Sequence, residues 1–322
     1  MRKVDIALLA LVVSGAAARA QQPSAAQARV HLHGELLVSP AWLAARLQSP
    51  DVVVIQVGRS DAAYRSGHIP GARFLPLSAV ATTIRDIPNE FPEPAQLAAT
   101  FRDLGVGGRA RIVLYGDDAG LLAARAWVAL DLLGQSGRTA LLDGGLVRWT
   151  AEHRSLDTTV ASAAPRPFPA RWQNSRIVTA EWVRAHLGDS AVVFVDARAP
   201  EQYAGEEPPC PPDRPSCAQI APERRGHLPG ATSLYWMHAL VSPDDPVLRP
   251  VSALRDTLWR PTGADRPAAR TVVVYCRTGM QASHDYFVAR YLGYRDVRLY
   301  DGSFIEWAAL TPADHPVERG AR

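Results

Sequence analysis

The stretch VVVYCRTGMQAS, residues 272–283, decides how this chain is read. Val272, Val273, Val274 and Tyr275 form an unbroken run of residue types that favour extended backbone, as a strand buried on both faces requires. Cys276, Arg277 and Gly279 make a short junction, and SHDYFVARYLG, residues 283–293, then carries apolar residues at helical spacing. The chain has three cysteines in 322 residues, and one of them stands at the end of this predicted strand.

Outward from this point the chain proves to be written twice. SGHIPGA at 66–72 returns as RGHLPGA at 225–231; RIVLYG ending at Gly116 returns as TVVVYC ending at Cys276; LLDGGLVRW around Asp143 returns as LYDGSFIEW around Asp301. Nearly one offset relates all three pairs, which marks an internal duplication. Strands (DVVVIQV, RIVLYG, TALLD; AVVFVDAR, TVVVYC, DVRLYDG) alternate with helical patterns (PAWLAARLQ, PAQLAATFRDLG, AGLLAARAWVALDLLG; TAEWVRAHL, VSALRDTLW). Alternation of this kind predicts an α/β fold: two tandem domains, each a mainly parallel sheet with helices on both faces. Gly105, Gly134 and Gly293 fall where left-handed helix caps belong. The expected division is a signal segment at 1–20, a first domain at 33–153, a linker rich in Ala, Pro and Thr at 154–174, and a second domain at 175–317.

Residues 1–20 carry Arg2 and Lys3, an apolar run and a small-residue end at Ala18-Arg19-Ala20, the pattern of a secretory signal. The protein is therefore expected to be exported, periplasmic or secreted, with no membrane span once the signal is removed. A net charge of +3, spread along the chain, gives no nucleic-acid footprint. Lys3 is the only lysine, so the mature chain has no Schiff-base lysine, lysine nucleophile or P-loop lysine.

In a parallel sheet the loops at the carboxyl ends of the strands build the usual site. Cys276 stands there in the second copy, and Gly116 occupies its place in the first. A thiol reacts as its thiolate. The helix start after Cys276 offers free amides, a tight loop aims them inward, Arg277 adds a cation, and Gly279 allows the turn. The same cradle suits a persulfide. Ser283, His284 and Asp285 are consecutive helix residues pointing different ways, so they make no triad; Ser283 reads as an N-cap and Asp285 as a first-turn acid.

On GHIPGA and GHLPGA, VDAR at 195–198, CRTGMQ at 276–281 and the DGG and DGS segments, in that order over nearly the whole mature chain, the sequence resembles the tandem-domain rhodanese family of sulfurtransferases. The resemblance implies a non-catalytic first domain and a second domain in which Cys276 takes sulfur from a donor such as thiosulfate and passes it, as a persulfide, to cyanide or a thiol. It implies no metal or organic cofactor. Its partners would be small sulfur donors and thiophilic acceptors, with an exported acceptor protein among them. Its site residues are Cys276 with the loop Arg277, Thr278, Gly279, Met280 and Gln281. Asp196 is expected to pair with Arg277, and Arg198 to be structural, paired with Glu201.

Arg277 matches the Cys-Arg form associated with thiosulfate, where mercaptopyruvate enzymes usually have Cys-Gly. Thr278 replaces a frequent lysine, Gln202 a frequent arginine, and Gln281 a usual threonine, so a 3-mercaptopyruvate enzyme and a persulfide carrier or redox partner without turnover stay open as alternatives. Arg224 and Arg225 are read as solvated charges that could substitute in donor binding. A phosphatase or arsenate reductase needs C-x5-R, and Ala282 stands where its arginine would be. Cys210 and Cys217 lie in a proline-rich insertion and read as a disulfide pair, the alternative being that one resolves an oxidised Cys276.

Overall fold

The computed structural model of the protein describes residues 32–207, 222, 224–265 and 271–320. The first domain runs β1 (Leu37–Val38), α1 (Pro40–Ala44), β2 (Val52–Gly58), α2 (Ala62–Ser66), β3 (Arg73–Pro76), β4 (Thr82–Ile84), β5 (Ile87–Glu90), α3 (Pro94–Asp103), β6 (Arg111–Gly116), α4 (Leu121–Leu132), β7 (Thr139–Leu142) and α5 (Gly145–Ala151). The second runs β8 (Ile177–Val178), α6 (Ala180–Ala185), β9 (Val192–Asp196), α7 (Pro200–Ala204), β10 (Thr232–Ser233), β11 (Thr271–Tyr275), α8 (Met280–Leu292), β12 (Val297–Tyr300) and α9 (Ser303–Ala309). VSALRDTLW forms a π-helical turn at Ala253–Trp259.

The sheets are ordered β1-β7-β6-β2-β3 and β8-β12-β11-β9-β10, the same topology twice, and every pairing within them is parallel. β11 is buried along its whole length, as its valine run predicts. Gly105, Gly134 and Gly293 take φ of +67°, +73° and +94° at helix ends, as expected of left-handed caps. The hairpin β4–β5 is antiparallel and stands outside the first sheet.

The duplicated motifs repeat hydrogen bonds as well as letters. Ser39 Oγ accepts from Trp42 N at the start of α1, and Thr179 Oγ1 accepts from Trp182 N at the start of α6. Tyr64 stacks on His68 at 3.8 Å and Tyr203 on His227 at 3.7 Å. Each tyrosine hydroxyl donates to the alanine carbonyl that ends the GHxPGA motif, Ala72 at 2.8 Å and Ala231 at 2.7 Å. The amides of Ile69 and Leu228 each donate at 3.1 Å to a tyrosine of the central strand, Tyr115 and Tyr275. GHxPGA is thus a staple that fixes the crossover to the central strand, a structural role that both copies need.

The two domains share one hydrophobic core. α4, buried at every residue, packs against α8, with Trp127 edge-on to Phe287 at 5.1 Å and Tyr286 Oη donating to Asp131 Oδ2 at 2.7 Å. The expected linker is extended chain pinned to the first domain: Arg166 N donates to Arg102 O, Arg171 N to Leu133 O, and Phe168 stacks on Phe101. Among the described residues no helix is long and apolar enough to cross a membrane.

Candidate active site

β11 ends at Tyr275, and Cys276 opens the loop that leads into α8. The backbone amides of Ala282, Thr278 and Gln281 act to lower the Cys276 thiol pKa, favouring its anion. Gly279 takes φ +79°. A Cβ at that position would stand 2.5 Å from Asp301 Oδ1, so torsion and space both demand glycine. The loop's own carbonyls are held by α9, with Phe304 N donating to Cys276 O at 2.9 Å and Ile305 N to Arg277 O at 3.1 Å.

Cys276 lies deeper than the sequence reading expected. Cys276 is 1% exposed. Burial pushes its thiol pKa up, the three amides oppose that, and the Asp196 charge adds to it, leaving a net rise. The expectation of a thiol tipped toward its anion is corrected: desolvation outweighs the amides. Arg277 and Thr278 are buried, Met280 packs into the core, and Gln281 is half-buried.

The expected pairing of Asp196 with Arg277 is also corrected. Asp196 binds Arg198 instead, with Oδ1 accepting from Nε at 2.9 Å and Oδ2 from Nη2 at 2.5 Å. Arg198 turns to Asp196 and to Gly226 O at 2.6 Å rather than to Glu201, and its guanidinium lies 4.1 Å over the Phe304 ring. Both members are essentially inaccessible, so this is a doubly satisfied ion pair bracing the floor beside Cys276. Arg277 Nη2 is paired with the Glu207 carboxylate, which also accepts from Gln202 Nε2 at 3.1 Å. Arg224 is no solvated charge. Its guanidinium caps the end of α9 by donating to the carbonyls of Trp307, Ala308, Leu310 and His315. Arg225 Nη1 donates to Glu207 O at 3.0 Å.

α8 begins at Met280 with Gly279 as its cap, so Ser283 is not an N-cap and Asp285 lies past the first turn. The helix starts earlier than predicted because the loop closes over the sulfur within three residues. Ser283 Oγ donates to Gly279 O at 2.8 Å. His284 is buried among apolar neighbours, edge-on to Trp236, and burial drops its pKa to about 4. Asp285 is pushed well up by burial, then by the Asp196 charge. No triad forms. Cys210 and Cys217, with their expected disulfide, lie outside the described residues, and Cys276 is a free thiol.

Sequence reasoning missed Ser303. Its Oγ accepts from Cys276 N at 3.2 Å and Gly279 N at 3.0 Å and donates to Tyr300 O at 2.8 Å, tying the loop to the end of β12. It does so at φ +56°, the torsion of its counterpart Gly145 at +51°. The signal was the single change from DGG to DGS. Reasoning also missed Arg125, a fully buried first-domain residue that donates to Asp301 Oδ1 at 2.7 Å and thereby backs Gly279.

A family model described as Rhodanese-like domain matches residues 39–152 and 179–310. The chain is 33% identical over 301 residues to the sulfur carrier protein TtuD of Thermus thermophilus, covering 90% of this chain and 99% of that one. It is 31% identical over 283 residues to a thiosulfate sulfurtransferase of Azotobacter vinelandii, covering 88% and 97%. It is 32% identical over 300 residues to a probable 3-mercaptopyruvate sulfurtransferase of Pseudomonas aeruginosa, covering 88% and 98%. Among solved structures, the 3-mercaptopyruvate sulfotransferase SseA from Escherichia coli shares the fold at a TM-score of 0.68 and 24% identity, over 83% of this chain and 98% of that one. With two parallel sheets of one topology, one free thiol among the described residues and these matches in hand, the chain belongs to the rhodanese-like family and carries its domain twice.

Proposed function

We propose that this protein moves sulfane sulfur from thiosulfate to a thiol or cyanide acceptor through a persulfide on Cys276. Sulfurtransferase activity follows from its family and its relatives; the donor and the persulfide are our reading. The observation that carries it is the placement of the Cys276 thiol at the carboxyl end of β11, at the head of the loop into α8, where backbone amides favour its anion. The Cys276 thiol first releases its proton to water. The thiolate then bonds the outer sulfur of thiosulfate as that sulfur's bond to the sulfonate breaks, and sulfite leaves with the electron pair. An acceptor thiolate bonds the outer sulfur of the persulfide, and Cys276 departs as thiolate with no net change of redox state.

The amides serve both anions, thiolate and persulfide. Arg277 supports an anionic donor, whose sulfonate would take the place of the Glu207 carboxylate on the guanidinium. Residues 1–20 direct export under the same reading, and N-terminal sequencing of the secreted protein should begin at Gln21; Met1 on the active protein would refute it.

Cys276→Ser should abolish thiocyanate formation from thiosulfate and cyanide, and the wild type should turn over thiosulfate with higher kcat/KM than 3-mercaptopyruvate. Turnover by the variant would overturn the mechanism, and the reverse donor preference would overturn the donor. The near-complete burial of Cys276 favours one second reading, a protected persulfide carrier. A stable extra sulfur on the protein as isolated, with negligible turnover, would select it.

A further inference from the structure

The hairpin β4–β5 belongs to the first domain yet ends on the loop of the second. Asn89 holds a left-handed φ of +66°, a region that asparagine enters more readily than most side chains. Its Nδ2 donates to Thr278 Oγ1 at 3.0 Å. The backbone around it is fixed on both sides. Asn89 O accepts from Arg125 Nη2, and Phe91 N donates to Asp301 Oδ2 at 2.9 Å. Arg125 closes the frame by bonding Asp301 while its guanidinium lies 3.4 Å over the Phe91 ring. Arg125 and Asp301 are buried, so the hairpin end is registered against the loop by contacts removed from the surface. Thr278, the residue that Asn89 grips, stands two residues after Cys276 in the same loop, and its backbone amide acts to lower the Cys276 thiol pKa.

We propose that Asn89 is a positioning residue for sulfur transfer, holding the Thr278 side chain so that the Thr278 amide is aimed at Cys276. This rests on Cys276 being the sulfur-accepting thiol. It gives the first domain, which has glycine in place of the nucleophile, a direct part in the chemistry of the second. An amide at a buried sulfur acts with little screening, so a small turn of Thr278 costs the anion more than it would in water.

Asn89→Gly removes the side chain and keeps the left-handed backbone unstrained. Thr278→Val removes the partner at nearly constant shape. Three readouts are needed: kcat/KM for thiosulfate, melting temperature, and the pH profile of alkylation by iodoacetamide at the Cys276 peptide. Asn89→Gly should lower kcat/KM roughly fivefold, the worth of one hydrogen bond, and move the alkylation profile to higher pH. Thr278→Val should do the same, and the double variant should be no worse than either single variant. A purely structural role would lower the melting temperature and leave the profile in place. An unmoved profile in Asn89→Gly, or additive losses in the double variant, overturns the proposal. Turnover by Cys276→Ser would instead defeat the reading beneath it, while the alkylation profile still reports on Asn89.

Discussion

The two copies differ most where their sheets are most alike. β6 and β11 are both central strands and both end in a loop before a buried helix. In the second copy that loop is Cys276-Arg277-Thr278-Gly279, and backbone amides of the loop and of the start of α8 favour the anion of its thiol. In the first it is Gly116-Asp117-Asp118-Ala119-Gly120, and a Cβ at residue 116 would stand 2.7 Å from Val57 O. No thiol fits there without the strand moving. Asp117, whose pKa is raised by burial and by the Asp118 charge, helps line a cavity of about 210 Å³, so the first loop presents acids where the second presents a cation. The shared staples and caps are those that hold the frame. The first domain has become a support that reaches the second through Arg125 and the hairpin.

The sharpest way to break this contrast is at Ser303. Ser303→Gly gives the second copy the residue of the first. Two buried amides, those of Cys276 and Gly279, lose their acceptor, which costs about 1–3 kcal/mol each. Relief of the left-handed torsion returns about 1 kcal/mol. Sulfur transfer should fall about tenfold or more, and the denaturation midpoint should drop. Ser303→Ala keeps the strain without the oxygen, so it should be less stable than Ser303→Gly. If the alanine variant proves the more stable, the strain account fails.

A smaller effect tests the hairpin. Glu90 is raised to about 7, first by burial, then by Asp301 and Glu306, with Arg85 and Arg125 opposing. The raised folded-state value means that its contribution is fully present below the unfolded value of 4.5 and is lost as pH climbs through about 7. Glu90→Gln should leave stability at pH ~4 nearly unchanged and raise it at pH ~8 by on the order of 1–2 kcal/mol, after discounting for solvent. Equal shifts in urea midpoint at both pH values would show that Glu90 does not feel its acidic neighbours.

The frame was legible because its signals are local: valine runs, helical spacing, glycine caps and a repeat that any pairwise reading of the chain exposes. Cys276 was legible because its strand and its helix flank it directly. The burial of the thiol was not, since what covers a loop is settled by distant elements. The Asp196–Arg198 pair had a readable signal, because residues two apart share one face of extended chain, but the family resemblance pointed to Arg277 instead. Ser303 differs from its repeat by one small residue, and only the structure shows two amides meeting its hydroxyl. Asn89 and Thr278 lie 189 residues apart, and no periodicity links a hairpin end to a loop in another domain.

The central claim is that only the second copy's loop holds sulfur, and that it does so on Cys276. Loading the intact protein with thiosulfate in the absence of acceptor, followed by peptide mapping by mass, reads this directly. One additional sulfur atom on the Cys276 peptide, lost on adding cyanide, is the predicted result. Sulfur found instead on the peptide bearing Cys210 or Cys217, with Cys276 unmodified, would contradict it.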